Sequence, residues 1–467
     1  MGNEGFTVAC NAFHAPQRGQ LEVLENCLIK VGGDGRIFDV VRPDRADHAT
    51  IRRSADDDGT LVTLADSQYL LPGMVDLHIH APQWAQLGKA LDAPLEEWLQ
   101  KYTFPLEAKY ADTAFARQVY SSLVENLLAN GTTTAVYFGT IHVEANLALA
   151  EICLKRGQRA LVGKVAMDDQ GQCPDFYRDA DAWAAVEDTR RFMQRLAEMQ
   201  PEGHTLVHPA ITPRFVPSCT DALLEGLGRV AHETGCHVQT HCCESDWANN
   251  YVQNRFGETD TEVLARFGLL TGKTILAHSN FVSPKDVDRI KAAGAGLAHC
   301  PLSNFYFADA VFPLRAALDK GVHVGLGTDI SGGYSPSLFD SARLAMIAAR
   351  ALNSGVDPAA AREARGVPGS RITTAEAFWL ATAGGGEALG LPVGVFAPGF
   401  EFDALVVDVD VPASNISLWP KLDSALDVFD KIMLNAGRAN IAAVWVGGKI
   451  RSRTTAFVPD LSWLSIP

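Results

Sequence analysis

The chain lacks several features whose absence narrows its function. No stretch of about 18 consecutive apolar residues occurs, so no membrane-spanning helix is expected. The first residues, Met1-Gly-Asn-Glu-Gly-Phe6, carry neither a basic segment nor an apolar one, which predicts no secretory leader. Phe6 also stands where a myristoylation signal needs Ser or Thr. The nine cysteines are odd in number and lack zinc-finger spacing, which suggests reduced thiols in a cytoplasm rather than a disulfide framework. Basic residues are outnumbered, 40 Lys and Arg against 55 Asp and Glu. The net charge of −15 argues against a nucleic-acid partner and for a small-molecule substrate. Internal repeats and low-complexity tracts are absent too.

What is present is a chain of 467 residues, 47% hydrophobic, enough for a large core. From about residue 70 strand-like runs alternate with amphipathic helical patterns. The runs are 74–80, 132–139, 161–167, 205–212, 237–241, 274–278, 296–300 and 323–328. Eight strands, each followed by a helix, predict a (β/α)8 barrel over residues 67–395. A doubly wound sheet would want a Gly-rich phosphate loop after its first strand, where this chain has His80-Ala-Pro-Gln83. Residues 1–66 and 396–467 show only short β-like runs, and the simplest arrangement joins them into one small β-sandwich domain beside the barrel. Gly32-Gly-Asp-Gly35 and Gly447-Gly448 are hairpin signals. The first βα connection, Ala81 to about Tyr110, is long and carries Trp84, Trp98, Tyr102 and Phe104, which points to an ordered lid over the barrel mouth.

In such barrels the chemistry gathers at the C-terminal ends of the strands. Strand one ends in His78-Ile-His80, whose imidazoles share a face because strand side chains alternate. Strand five ends in His241-Cys-Cys-Glu244, strand six in His278 and strand eight in Thr328-Asp329. Histidines and a carboxylate converging there make a nitrogen-and-oxygen metal site, with zinc the first choice and iron the second. Strand four ends in Thr212-Pro-Arg214, with no lysine or carboxylate to bridge a second ion, so one metal per chain is expected. Asp329 is placed to hold and deprotonate a water. Glu244, three residues past His241, is placed to carry the proton onward.

These motifs resemble the amidohydrolase superfamily, in its single-metal aminohydrolase branch. His80-Ala-Pro-Gln-Trp84, Glu97-Trp-Leu-Gln-Lys-Tyr-Thr-Phe-Pro-Leu-Glu107, Thr212-Pro-Arg-Phe215, Ala298-His-Cys-Pro301 with Ser303-Asn304, and Gly325-Leu-Gly-Thr-Asp-Ile-Ser-Gly-Gly-Tyr334 are similar to its guanine-deaminating members. The resemblance implies metal binding by His78, His80, His241 and Asp329, with His278, Glu244 and Asp329 catalytic. It further implies purine contacts from Gln83, Trp84, Arg214, Phe215, His241, Glu244 and Asp329, with Arg214 holding the carbonyl oxygen. The reaction so implied is hydrolysis of guanine to xanthine and ammonia, by a homodimer. The alternatives are another aminated heterocycle (8-oxoguanine, cytosine, an adenosine derivative or a triazine) or a non-enzymatic barrel scaffold. A scaffold would be expected to have lost ligand positions, and all are filled here. The His-x-Glu and Pro-Cys-x-x-Cys pattern of the other zinc deaminases is missing, which excludes that fold. Cys242-Cys243 and Leu302 depart from the family pattern. Replacing Arg214 is expected to remove recognition and leave thermal stability nearly unchanged.

Overall fold

A computed structural model describes residues 5–201, 205–455 and 457. The leader and myristoylation readings rest largely on residues 1–4 and so lie outside the described residues. The N-terminal strands are β1 (Phe6–Gln17), β2 (Gln20–Val31), β3 (Ile37–Val41), β4 (Leu61–Thr63) and β5 (Gln68–Pro72). The barrel strands are β6 (Met74–His80), β7 (Thr132–Phe138), β8 (Arg159–Ala166), β9 (Val207–Pro213), β10 (His237–Cys242), β11 (Thr274–His278), β12 (Gly296–His299) and β13 (His323–Leu326). Then come β14 (Ala404–Asp408), β15 (Ile441–Val446) and β16 (Lys449–Arg453).

Strands β6 to β13 form one eight-stranded parallel sheet in sequential order, on the eight runs expected from the sequence. Each is buried along nearly its whole length, as parallel strands covered by helices on one face and core on the other must be. The covering helices are amphipathic. Ala182–Glu198 buries Ala185, Thr189, Phe192 and Leu196 at three- and four-residue spacing, and the Asp181 side chain caps its first turn. The ends of the sheet meet across β13 and β6. His80 N–H donates to the Ile330 carbonyl at 2.8 Å and Asp329 N–H to the His78 carbonyl at 2.8 Å. The buried Asp76 carboxylate accepts from Thr328 N–H at 3.0 Å and from its hydroxyl at 2.5 Å. Closure thus pins His78 and Asp329 side by side.

The floor of the barrel is filled. Val75, Leu77, Leu161, Ile275 and Ala298 meet Ala388, Leu389 and Val393 from the helix Ala383–Leu389 and the turn after it. The helix approaches so closely that a Cβ on Gly325 would lie 2.9 Å from Gly385 Cα, which explains small residues on both sides.

Both chain ends build a second, mixed sheet in the order β16-β15-β14-β5-β1-β2-β3, with β4 beside β1. Its two halves share one core, in which Phe6 meets Phe402 and Phe402 meets Trp445. Gly32–Gly35 and Gly447-Gly448 turn the chain as expected, between β2 and β3 and between β15 and β16. Three details differ from the sequence reading. Strand β5 pairs with β14 and β1, so the chain passes into the barrel at Gly73, beyond the boundary read at residue 67. The N-terminal piece is not all β: it holds the helix His48–Asp57, whose single buried residue, Ala55, leaves no apolar period to detect. The C-terminal piece holds the helix Ala425–Asn435, opened by a Ser424–Asp427 capping box.

Candidate active site

The ends of β6, β10, β11 and β13 bring four imidazoles and two carboxylates into one buried cluster. The His78 ring centroid lies 5.0 Å from that of His80, 4.9 Å from His241 and 5.2 Å from His278. Asp329 Oδ1 stands 3.1 Å from His78 Nε2 and 3.5 Å from His80 Nε2. His278 Nε2 lies 3.6 Å from Glu244 Oε1 and 3.8 Å from Asp329 Oδ2. Ligand atoms of His78, His80 and Asp329, of His78, His241 and His278, and of Glu244, His278 and Asp329 each fall within 4.8 Å of one another.

The hydrogen bonds around the cluster aim bare nitrogens inward. His241 Nδ1 lies 2.6 Å from the Arg214 carbonyl, which only accepts, so Nδ1 carries the proton and Nε2 is left with a lone pair. That Nε2 faces His80 Nε2 at 3.0 Å. His278 Nδ1 is held likewise by Asn304 Oδ1 at 3.0 Å. The Nε2 atoms of His78 and His278 are buried without a hydrogen-bond partner. Burial and mutual repulsion hold His78, His80 and His241 well below the ordinary imidazole range, hence neutral. Neutral imidazoles with oriented, unpartnered nitrogens beside a carboxylate fit a single divalent ion. Burial, and then the neighbouring Asp329, push the Glu244 carboxyl well up, which suits a proton carrier.

The backbone is bent to reach this geometry. Cys243, His278, Ser279 and Asp329 all have positive φ, between 46° and 66°, at a cost of about 1–3 kcal/mol each. At Gly332 a Cβ would come within 2.8 Å of Asp329 Oδ2, so only glycine fits beside that carboxylate.

Above the cluster is a small cavity. Gln83, Arg214, Phe215, Glu244, His80, His241 and Asp329 line it, together with Leu95, Trp98, Leu99, Phe307 and Gly332. Trp84 does not reach it. Its indole packs toward the helix Thr113–Ala129 and donates to Ser122 Oγ at 3.1 Å, so the aromatic wall is Trp98 of the lid against Phe307, which follows β12, instead. The long connection is ordered, in short helical turns with Leu95, Trp98, Phe104 and Tyr110 buried. Arg214 is not free: its guanidinium is buried and paired in a fork with Glu107 of that connection, at 2.6 and 3.2 Å. Glu107, Trp98 and Phe307 escaped the sequence reading of the site. The departures from the family pattern stay behind the cavity wall. Leu302 is buried, and Cys243 Sγ donates to Asp260 Oδ2 at 3.3 Å, with Cys242 Sγ 3.8 Å away.

Residues 69–451 match the family model of the amidohydrolase family. A guanine deaminase of Mus musculus is 38% identical over 393 residues, which are 83% of this chain and 83% of the relative. A probable guanine deaminase of Schizosaccharomyces pombe is 36% identical over 443 residues, 94% of this chain and 82% of the relative. Among solved structures, a guanine deaminase from C. acetobutylicum with guanine bound in its active site superposes with a TM-score of 0.84 at 29% identity, covering 96% of this chain and 100% of that one. The chain belongs to the amidohydrolase family and, within it, to the guanine deaminases.

Proposed function

We propose that this protein hydrolyses guanine to xanthine and ammonia, using one divalent metal ion per chain held by His78, His80, His241 and Asp329. Zinc is the first choice and iron the second, because imidazole with one carboxylate suits both. A divalent ion bound there supplies Lewis acidity that brings the pKa of a water toward neutrality.

The side chains do the rest. Asp329, beside two imidazoles, accepts the proton of the attacking water. Glu244, buried at the cavity floor 3.6 Å from His278, gives a proton to the ring nitrogen next to the amino-bearing carbon. The water oxygen bonds to that carbon; Glu244, now a carboxylate, takes the proton remaining on that oxygen and passes it to the amino nitrogen, the carbon–nitrogen bond breaks to release ammonia, and the proton held by Asp329 returns to Glu244. His278 orients the water or the substrate. Gln83 and Arg214 hold the polar edge of the ring, with Arg214 directed at the carbonyl oxygen, and Phe215, Trp98 and Phe307 cover its faces and exclude water.

One observation carries this reading: a proton-carrying glutamate, a carboxylate and oriented neutral imidazoles share the floor of one aromatic-walled cavity. Ultraviolet monitoring of the purified protein with guanine and with adenine tests it. Conversion of guanine alone supports the assignment, whereas an unchanged guanine spectrum, or equal turnover of adenine, overturns it. A homodimer in the cytoplasm completes the proposal. All nine cysteines being unpaired supports a reducing compartment.

A further inference from the structure

We infer that Glu107 is a positioning and specificity residue for the purine: it fixes the hydrogen-bonding edge shown by Gln83 and Arg214, and it cancels the arginine's charge so that the cavity takes a neutral ring and rejects an anionic one. The inference rests on the purine reading above. Glu107 lies in the short helix Phe104–Glu107 of the first connection and is completely buried. It does not line the cavity, so it acts through its neighbours.

Its carboxylate accepts from Arg214 Nη1 and Nη2 and also from Gln83 Nε2 at 3.0 Å. On its other side the Gln83 amide accepts from Ser331 N–H through Oε1 at 3.1 Å. A carboxylate only accepts and a backbone N–H only donates, so the amide cannot turn over without losing both bonds. One N–H and one lone pair of Gln83 remain for a ligand, in fixed positions. Arg214 is fixed in the same way. Two of its five N–H groups go to Glu107, and its plane lies over the Phe104 ring, 5.0 Å from the centroid. One glutamate from the lid thus sets donors from the ends of β6 and β9 at once.

The charge follows the same logic. A guanidinium buried alone at a cavity wall draws anions, whereas a forked pair with a carboxylate is neutral as a unit. Guanine is neutral at physiological pH, and urate, a purine of nearly the same outline, is a monoanion. Glu107 therefore discriminates between them without touching either.

The test compares wild type with Glu107→Gln, both metal-loaded, using guanine kinetics and calorimetric binding of urate. Glu107→Gln should raise KM for guanine by about tenfold or more with kcat within about threefold. It should also bind urate about tenfold tighter, because Arg214 is left uncompensated. The double variant Glu107→Gln with Arg214→Gln buries no charge; it should keep the high KM and lose the gain in urate binding. An unchanged KM in Glu107→Gln, or a loss of guanine turnover without tighter urate binding, overturns the inference. If Glu107→Gln does not fold, Glu107→Asp, which keeps the charge but shortens the reach to Gln83 and Arg214, decides: a wild-type KM there overturns the inference, and a raised KM with kcat within about threefold supports it. If wild type fails to turn guanine over, the purine reading falls at that step, and urate binding still reports on Glu107 by itself.

Discussion

At the upper mouth of the barrel His78, His80, His241 and His278 stand at strand ends around Glu244 and Asp329, with unpartnered nitrogens facing inward. At the lower face His208, His237 and His323 stand at or near strand starts, bordering a groove with Lys273. The side chain is the same and its company differs. Above, carboxylates share the space and the backbone is strained to hold them together. Below, His237 Nε2 lies 3.1 Å from the Leu389 carbonyl, and the nearby charges that bear on His208 are Arg159 and Lys273. The lower groove holds a carboxylate too, Glu387, with His323 close enough to bear on it, but among the described residues only the upper end brings three ligand-type groups within 4.8 Å of one another. In barrels of this kind catalysis sits at the upper face, and the lower face serves stability.

The sharpest way to break this comparison is to remove the upper carboxylate. Asp329→Asn should lose most of its bound metal and about a thousandfold or more of kcat, since the ion that activates water goes with it. Elemental analysis beside kinetics checks both, and a metal-replete, active variant would abolish the distinction between the two ends. Two ions per chain in fully active wild type would equally dismiss the single-metal site.

Glu244→Gln should keep its metal yet lose about a hundredfold or more in kcat, as befits a general acid–base group that binds no ion. Near-normal turnover would assign the proton to another residue.

Arg214→Ala should collapse kcat/KM for guanine with metal retained, and the structure corrects the expectation that stability would be spared. Glu107 would be left buried without its countercharge, an orphan worth about 3–5 kcal/mol. Thermal denaturation should show a fall in Tm, and an unchanged Tm would mean that the pair is not formed in solution.

The smallest effect belongs to the lower face. Burial, with His237, Arg159 and Lys273 nearby, brings His208 from 6.5 down to about 4. The folded value lies below the unfolded one, so the neutral ring's contribution is whole above pH 6.5 and is lost as pH falls toward 4, because the unfolded chain takes up a proton that the folded one refuses. His208→Asn should flatten the pH dependence of stability in that window, by about 1 kcal/mol after solvent screening, with kcat and metal content unmoved. A variant with the same acid slope as wild type would remove His208 from the account.

Much of this was legible in the chain itself. The eight barrel strands could be read because each is an apolar run set off by turn residues, and the ligands because histidines end those runs. Glu107 could not be read. It looks like any glutamate in a helical turn, and its meaning comes from Gln83, 24 residues before it, and Arg214, 107 residues after it. Trp84 and Trp98 show the same limit. Both are aromatic and both belong to the lid, but only packing decides that Trp84 faces the helix Thr113–Ala129 and Trp98 faces the cavity. The helices His48–Asp57 and Ala425–Asn435 were hidden for different reasons, the first by a nearly all-polar sequence and the second by a cap signal left unread among strand-like neighbours.

The plug formed by the helix Ala383–Leu389 has a consequence for traffic. With Ala388, Leu389 and Val393 sealed against Val75, Leu77 and Ile275, nothing passes through the floor of the barrel. On the proposed reaction the heterocycle, the attacking water, the released ammonia and the altered ring all come and go on the lid side of the barrel. Each turnover is then a round trip, and the site cannot be refilled until its last occupant has left by the way it came.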